Sequence, residues 1–230
     1  MIQALVDVLG PNGTLMAPYF LDYITHQEVF NPLNPPPAVT GAIPNCLVAW
    51  PEAQLSSSPS HPVVALGSLA ELLIKDHQRV SPVGQDSPFD RLASLSGKVL
   101  LLGVNQQANT TIHTGEAVAP AVYWGMPRPD RPKGLFVRLP GGAVEWVHLK
   151  EIPGHSAGFD KIEPYLRARG IIRPGGIGQA ACQLMRAKAL IDAVTDYLKL
   201  DPAGLLCDLP GCFSCGQARC YVTNYGGLSA

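Results

Sequence analysis

Between Gly97 and Gly103 the chain runs "GKVLLLG", with Val99 to Leu102 uninterrupted by any polar residue. A short apolar run bounded by glycines predicts a β-strand buried on both faces. The strand would deliver the chain through residues 105–108 to "NTTIHTGEAVAP" (109–120). The carboxyl end of a buried strand, where it opens into a helix, is where α/β proteins place their chemistry. Asn109, Thr110 and Thr111 are all residue types that cap helix N-termini. A helix starting there puts His113 in its first turn and Glu116 three residues on, along the same face. The positive end of the helix dipole disfavours imidazolium, and a neutral imidazole can accept a proton near neutral pH. Glu116 could orient that ring, stabilise the imidazolium once formed, or bind a substrate ammonium. An H-x-x-E pair is also common on helices that do no chemistry, so further support is needed.

The bulk of the chain narrows the alternatives. At 230 residues it can bury a large core. Its formal net charge is −1, and no cluster of Lys and Arg longer than a pair occurs, so the counterion-releasing footprint of a nucleic-acid binder is missing. No apolar run reaches the roughly 18–20 residues that a bilayer span needs. "MIQALVDVLG" lacks the basic leader and cleavage site of a signal peptide. No membrane partner is expected, and the expected location is cytoplasmic.

Local patterns give a mixed α/β order. "IQALVDVLG" sets Ile2, Leu5, Val6 and Leu9 on one helical face, with Gly10 as the C-cap; "PNG" turns into the strand "TLMAPYF". Residues 21–62 are proline-rich and read as mostly loop, long enough to be functional. "HPVVALGSLAELLIKDH" predicts an apolar stretch and then a helix with Leu69, Leu72 and Leu73 on one face. "GLFVRL" and "AVEWVHL" flank "PGG" as a β-hairpin. "AGFDKIEPYLRARG" predicts a short amphipathic helix, and "GQAACQLMRAKALIDAVTDYLKLDP" the longest helix.

These pieces, taken in order, resemble the aminoglycoside N(3)-acetyltransferase family. The resemblance is carried by "DVLGPNGTLMAPYF", "NPLNPPPAVTGAIPN", "SSSPSHPVVALG", "SPVGQDSPFDRLASLSGKVLLLGV", "NTTIHTGEAVA", "EIPGHSAGFDKIEPYL" and "IGQAACQLM", which together span about residues 5–195. It implies a three-layer α/β sandwich with a central mixed, largely antiparallel sheet flanked by helices. It implies transfer of acetyl from acetyl-CoA to an amine, with His113 as the active-site base and Glu116 in the same pocket. Asp160, in "GHSAGFDKIEP", is the third candidate for that site. Ser87, Pro88, Val104, Asn109 and Thr110 are the expected acetyl-CoA contacts. The acetyltransferase domain is expected over 1–204, with 205–230 as a cysteine-rich tail. The partner is expected to be a small-molecule amine, and a homodimer is left open.

The chain also departs from the family pattern. Relatives precede the "DVLG" helix with a strand and a glycine- and hydroxyl-rich segment that helps hold the CoA phosphates, so weaker CoA binding is expected here. Leu55-Ser56 stands where the family carries Arg-Ser, and Ser58 where it carries a histidine; His61 and Pro62 remain. Asn45 replaces a glutamate of many relatives, which points to a less cationic acceptor or to weak activity on the classical aminoglycosides. A second reading from another class is a non-catalytic descendant that serves as a binding protein. The tail's C-x4-C-x2-C-x4-C spacing, Cys207, Cys212, Cys215 and Cys220, has only one tight pair, so free thiols are expected and no metal ligand is assigned. His155 reads equally as a loop residue or a site member.

Overall fold

The structure, a computed structural model, describes residues 1–22, 29–119, 121–126, 132–149 and 154–225. In chain order the elements are α1 (Ile2–Leu9), β1 (Thr14–Pro18), α2 (Ala42–Val48), β2 (Gln54–Leu55), β3 (Val63–Gly67), α3 (Ala70–Ile74), α4 (Pro88–Ser94) and β4 (Lys98–Leu102). Then come α5 (Thr111–Val118), β5 (Gly134–Arg138), β6 (Val144–His148), α6 (Glu163–Ala168), β7 (Arg173–Ile177), β8 (Ala180–Arg186), α7 (Ala187–Leu200) and α8 (Phe213–Tyr225). Short 3-10 turns at Gln106–Ala108 and Phe159–Ile162 precede α5 and α6. The chain is therefore mixed α/β, and every described ladder is antiparallel. It divides into two compact units: Met1–Pro82 with Arg128–Lys150, and Val83–Pro127 with Glu151–Ala230.

In the first unit β3 lies between β1 and β2, and its Val63, Val64 and Ala65 are fully buried. The amphipathic start forms as expected, and Gly10 closes α1 at φ 71° with its N–H on the Val6 carbonyl. The β5–β6 hairpin also forms, around Gly141 and Gly142 at φ 93° and 90°, a conformation that glycine adopts without strain. Of the segment 21–62, residues 29–62 are more structured than their prolines suggested. Pro44 falls in the first turn of α2, where a missing N–H removes no intrahelical bond. Asn45 ties the preceding loop down: its Oδ1 accepts from Ala38 N–H, and its Nδ2 donates to the Ala38 and Gly41 carbonyls. A carboxylate could not donate those two bonds. The expected apolar face of α3 is corrected as well. Leu73 is buried, but Leu69 and Leu72 are 38 % and 49 % exposed.

In the second unit β8 lies between β4 and β7. β4 is not buried on both faces: only Leu101 is buried, and Leu100 remains 38 % exposed. The longest helical pattern is corrected too, because its first third is β8 and only Ala187–Leu200 is helix. "AACQLM" has no β-branched residue to mark it as strand. Its pairing is set instead by the two-residue turn at Gly178 (φ 59°), which joins it to β7.

Helix α5 packs onto α7 through Gly115, where a Cβ would lie 2.4 Å from Val194 Cγ1 and 2.5 Å from Val194 Cβ. Alanine favours helix over glycine by about 1 kcal/mol. Overpacking of this kind costs about 1–3 kcal/mol. At the upper end of that cost the net loss is about 2 kcal/mol, so Gly115→Ala is expected to lower the melting temperature by about 4–8 °C in calorimetry. An unchanged or raised value would mean that α7 yields without cost.

Candidate active site

His113 sits in the first turn of α5, 7 % exposed, where the chain leaves the Gln106–Ala108 turn. The expected side-chain cap is absent: Thr110 occupies the N-cap position in helical geometry and makes no capping bond. The turn instead runs on into the helix, with Ile112 N–H on the Asn109 carbonyl and His113 N–H on that of Thr110. Thr110 and Thr111 N–H groups donate to no described residue.

One helical turn sets His113 Nδ1 2.6 Å from Glu116 Oε2. The other carboxylate oxygen accepts from the Tyr123 hydroxyl at 2.7 Å. A carboxylate only accepts, so Glu116 places the ring proton on Nδ1 and leaves the Nε2 lone pair free. Nε2 has no hydrogen-bond partner among the described residues. The Phe159 ring meets the imidazole edge to face, with centroids 4.7 Å apart, and fixes its tilt. Glu116 is 3 % exposed, and both of its oxygens are engaged by His113 and Tyr123. Burial, with the adjacent Glu116 charge and hydrogen bond, pushes the Tyr123 phenol far above its ordinary value. Tyr123 therefore keeps its proton, and its bond to Glu116, across the working pH range. Sequence spacing singles out neither Tyr123 nor Phe159. Phe159 stands beside the chosen Asp160, and Tyr123 lies beyond the helix end, where spacing carries no signal.

Asp160 makes no hydrogen bond or ion pair with His113. Its Oδ2 accepts from Asn105 Nδ2 at 2.8 Å and from Gln107 Nε2 at 2.6 Å, which pins the turn that leads into α5. Asn109, 1 % exposed, belongs to a line of amides: its Nδ2 donates to Gln106 Oε1, Gln106 Nε2 to Gln183 Oε1, and Gln183 Nε2 to Glu163 Oε2. Arg167 donates to Glu163 Oε1 and ends the line. Burial acts to raise the Glu163 pKa, but the bonds from Arg167 and Gln183 and the Arg167 charge outweigh it, and the net shift is downward. A lowered pKa means that this support is complete above the ordinary glutamate range and is lost only as pH falls through the folded value. Ser87 is fully buried and caps α4, its Oγ accepting from Asp90 N–H; Pro88 is the first helical residue behind it. Val104 is 49 % exposed, just past the end of β4.

Among the described residues no helix is long and apolar enough to cross a membrane. The family model for aminoglycoside 3-N-acetyltransferase matches residues 1–199. Aminoglycoside N(3)-acetyltransferase IV from Salmonella sp. is 31 % identical over 205 residues, covering 88 % of this chain and 74 % of that protein. A solved variant of aminoglycoside acetyltransferase AAC(3)-IVa in complex with a gentamicin superposes with a TM-score of 0.80 at 30 % identity, over 96 % of this chain and 82 % of that one. AAC-IIIb, solved with CoASH, gives a TM-score of 0.68 at 26 % identity, over 86 % and 82 %. The match of the family model over residues 1–199, with relatives of about 30 % identity, makes the conclusion plain: this chain belongs to the aminoglycoside 3-N-acetyltransferase family, a family of N-acetyltransferases.

Proposed function

We propose that the protein transfers acetyl from acetyl-CoA to an amino group of an aminoglycoside, with His113 as the general base. The observation that carries this reading is the 2.6 Å Nδ1–carboxylate contact, which leaves Nε2 free to take a proton. Nε2 removes a proton from the acceptor amine as its nitrogen attacks the thioester carbonyl carbon. The C–O π pair moves onto oxygen, and the free N–H groups of Thr110 and Thr111, at the positive end of α5, stabilise that charge. Collapse of the tetrahedral intermediate breaks the C–S bond. CoA thiolate leaves, and the proton held on His113 is returned to it. The products are the N-acetylated amine and CoA.

In this reading Val104, Asn109 and Thr110 contact acetyl-CoA, and Ser87 and Pro88 act by setting the start of α4. Asp160 contributes by holding the 105–107 turn in place. The three-layer α/β sandwich and the cytoplasmic setting belong to the proposal as properties expected of the family. The gentamicin and the CoASH in the two solved relatives support the choice of acceptor and of co-substrate.

The test is an acetyl-transfer assay of the purified chain with acetyl-CoA and gentamicin, read as free thiol release and as a mass gain on the antibiotic. Acetylation of one amine is the expected result. CoA release without an acetylated product, or no turnover despite acetyl-CoA binding, would overturn the proposed reaction.

A further inference from the structure

Three cysteines of the C-terminal stretch converge on a histidine far away in sequence. Cys207 lies just after the core residues Leu205 and Leu206, and Cys212 and Cys215 lie at and inside the start of α8. Their sulfurs surround His155 Nε2: Cys212 Sγ at 2.8 Å, Cys215 Sγ at 3.4 Å and Cys207 Sγ at 3.5 Å. All four ligand atoms lie within 4.8 Å of one another, and all six cysteines are free thiols. Cys220, the fourth cysteine of the sequence pattern, is exposed and stands outside this group.

We propose that His155, Cys207, Cys212 and Cys215 bind one zinc ion, in a closed tetrahedral site that staples the 155–160 segment to the C-terminal helix. Zinc holds thiolates at about 2.3 Å and imidazole nitrogen at about 2.0–2.1 Å, which sets a tetrahedral N···S edge of roughly 3.5 Å. Two of the three observed N···S distances already match that edge, and the third, 2.8 Å to Cys212, opens as the ion enters. Three thiolates and an imidazole are a donor set that selects zinc over calcium or magnesium, which take oxygen ligands. Four protein ligands leave no open position, so the ion is structural and not hydrolytic.

Backbone donors point at two of the sulfurs. Cys215 N–H points to Cys212 Sγ at 3.5 Å and Cys207 N–H to Cys215 Sγ at 3.4 Å, and such donors favour the deprotonated sulfur that a metal requires. The 206–208 loop is held by Lys161, on the Leu206 carbonyl and Asp208, and by Arg219, on the Leu206 and Cys207 carbonyls and Asp208. Gly158 lets that loop pass close, because a Cβ there would come 2.3 Å from the Leu205 carbonyl oxygen and 2.7 Å from Cys207 N. Ala157 N–H meets His155 Nδ1 at 3.2 Å. With Nε2 on the ion the ring proton sits on Nδ1, so this contact gives way by a small rotation of the ring. The site's reach extends to the chemistry, since Phe159, four residues after His155, is the ring that packs on His113.

The purified full chain, expressed with zinc in the medium and never exposed to chelator, is expected to hold about one zinc per chain by elemental analysis. Cys220→Ser should keep that content, while Cys212→Ser and His155→Ala should drop it at least tenfold. Should those variants fail to fold, the wild type decides alone. Titration with a mercurial reagent should release zinc in step with modification of the protected thiols. Cobalt exchanged into the site should show the visible bands of tetrahedral thiolate coordination. Folded wild type without stoichiometric zinc, stoichiometric iron in its place, a disulfide joining two of the three cysteines, or equal loss of zinc in Cys220→Ser would each overturn the assignment.

Discussion

Replacing His113 by alanine is expected to lower kcat for acetyl transfer by about 10²–10⁴-fold, the contribution typical of a positioned general base. The affinity for acetyl-CoA should change little, because in the proposed reaction the imidazole acts on the proton of the acceptor amine. The loss should fall on kcat and kcat/KM alike, as for a group that acts only in the transition state. Calorimetric titration with a nonreactive acetyl-CoA analogue, beside steady-state rates, separates the two effects. Parallel loss of binding and turnover would make His113 a packing residue. Glu116→Gln is the informative companion. A glutamine amide facing Nδ1 drives the ring proton to Nε2 and removes the acceptor lone pair. The opposite amide orientation preserves the tautomer and loses only the charge that balances imidazolium. Either way its turnover should fall below wild type while the fold is kept.

Gly158→Ala is expected to give the largest loss of stability. The nearest atoms to the added Cβ are Leu205 O, Cys207 N and Leu206 C, at 2.3, 2.7 and 2.8 Å, all of them backbone. No rotamer change can relieve such contacts, so the 205–207 segment must lift. That segment carries Leu205, 1 % exposed in the main core of its unit, and Leu206, buried beside Tyr123 and Cys215. A cost of about 3 kcal/mol, the upper end for overpacking, corresponds to about 6–12 °C in melting temperature for a chain of this size. Differential scanning calorimetry checks it. A shift below a degree would mean that the tail docks only loosely. The tail boundary expected at residue 204 falls inside this packed stretch.

Periodicity and turn chemistry were enough for α1, β1, the β5–β6 hairpin and the placing of His113 and Glu116 on one face, because each depends on neighbours in sequence. What escaped was set by partners far along the chain. The "AACQLM" segment is apolar without β-branching, and only its pairing with β4 and β7 makes it a strand. The bond from Asn105 to Asp160 spans 55 positions, a distance no local pattern reports. The cysteine spacing held one tight pair and pointed to free thiols, whereas the fold brings Cys207, Cys212 and Cys215 together with His155, more than fifty residues earlier. Tyr123 joins Glu116 only because the chain turns back after α5.

The line of amides running from Asn109 to Glu163 has a polarity, and that polarity has a sender. Glu163 can only receive, so Gln183 must turn its nitrogen towards it. Gln106 must then do the same towards Gln183, and Asn109 towards Gln106. Asn109 is left showing its oxygen, which has no partner among the described residues. A negative charge on α6 thereby dictates, three side chains away, that whatever meets Asn109 at the threshold of α5 must arrive hydrogen first.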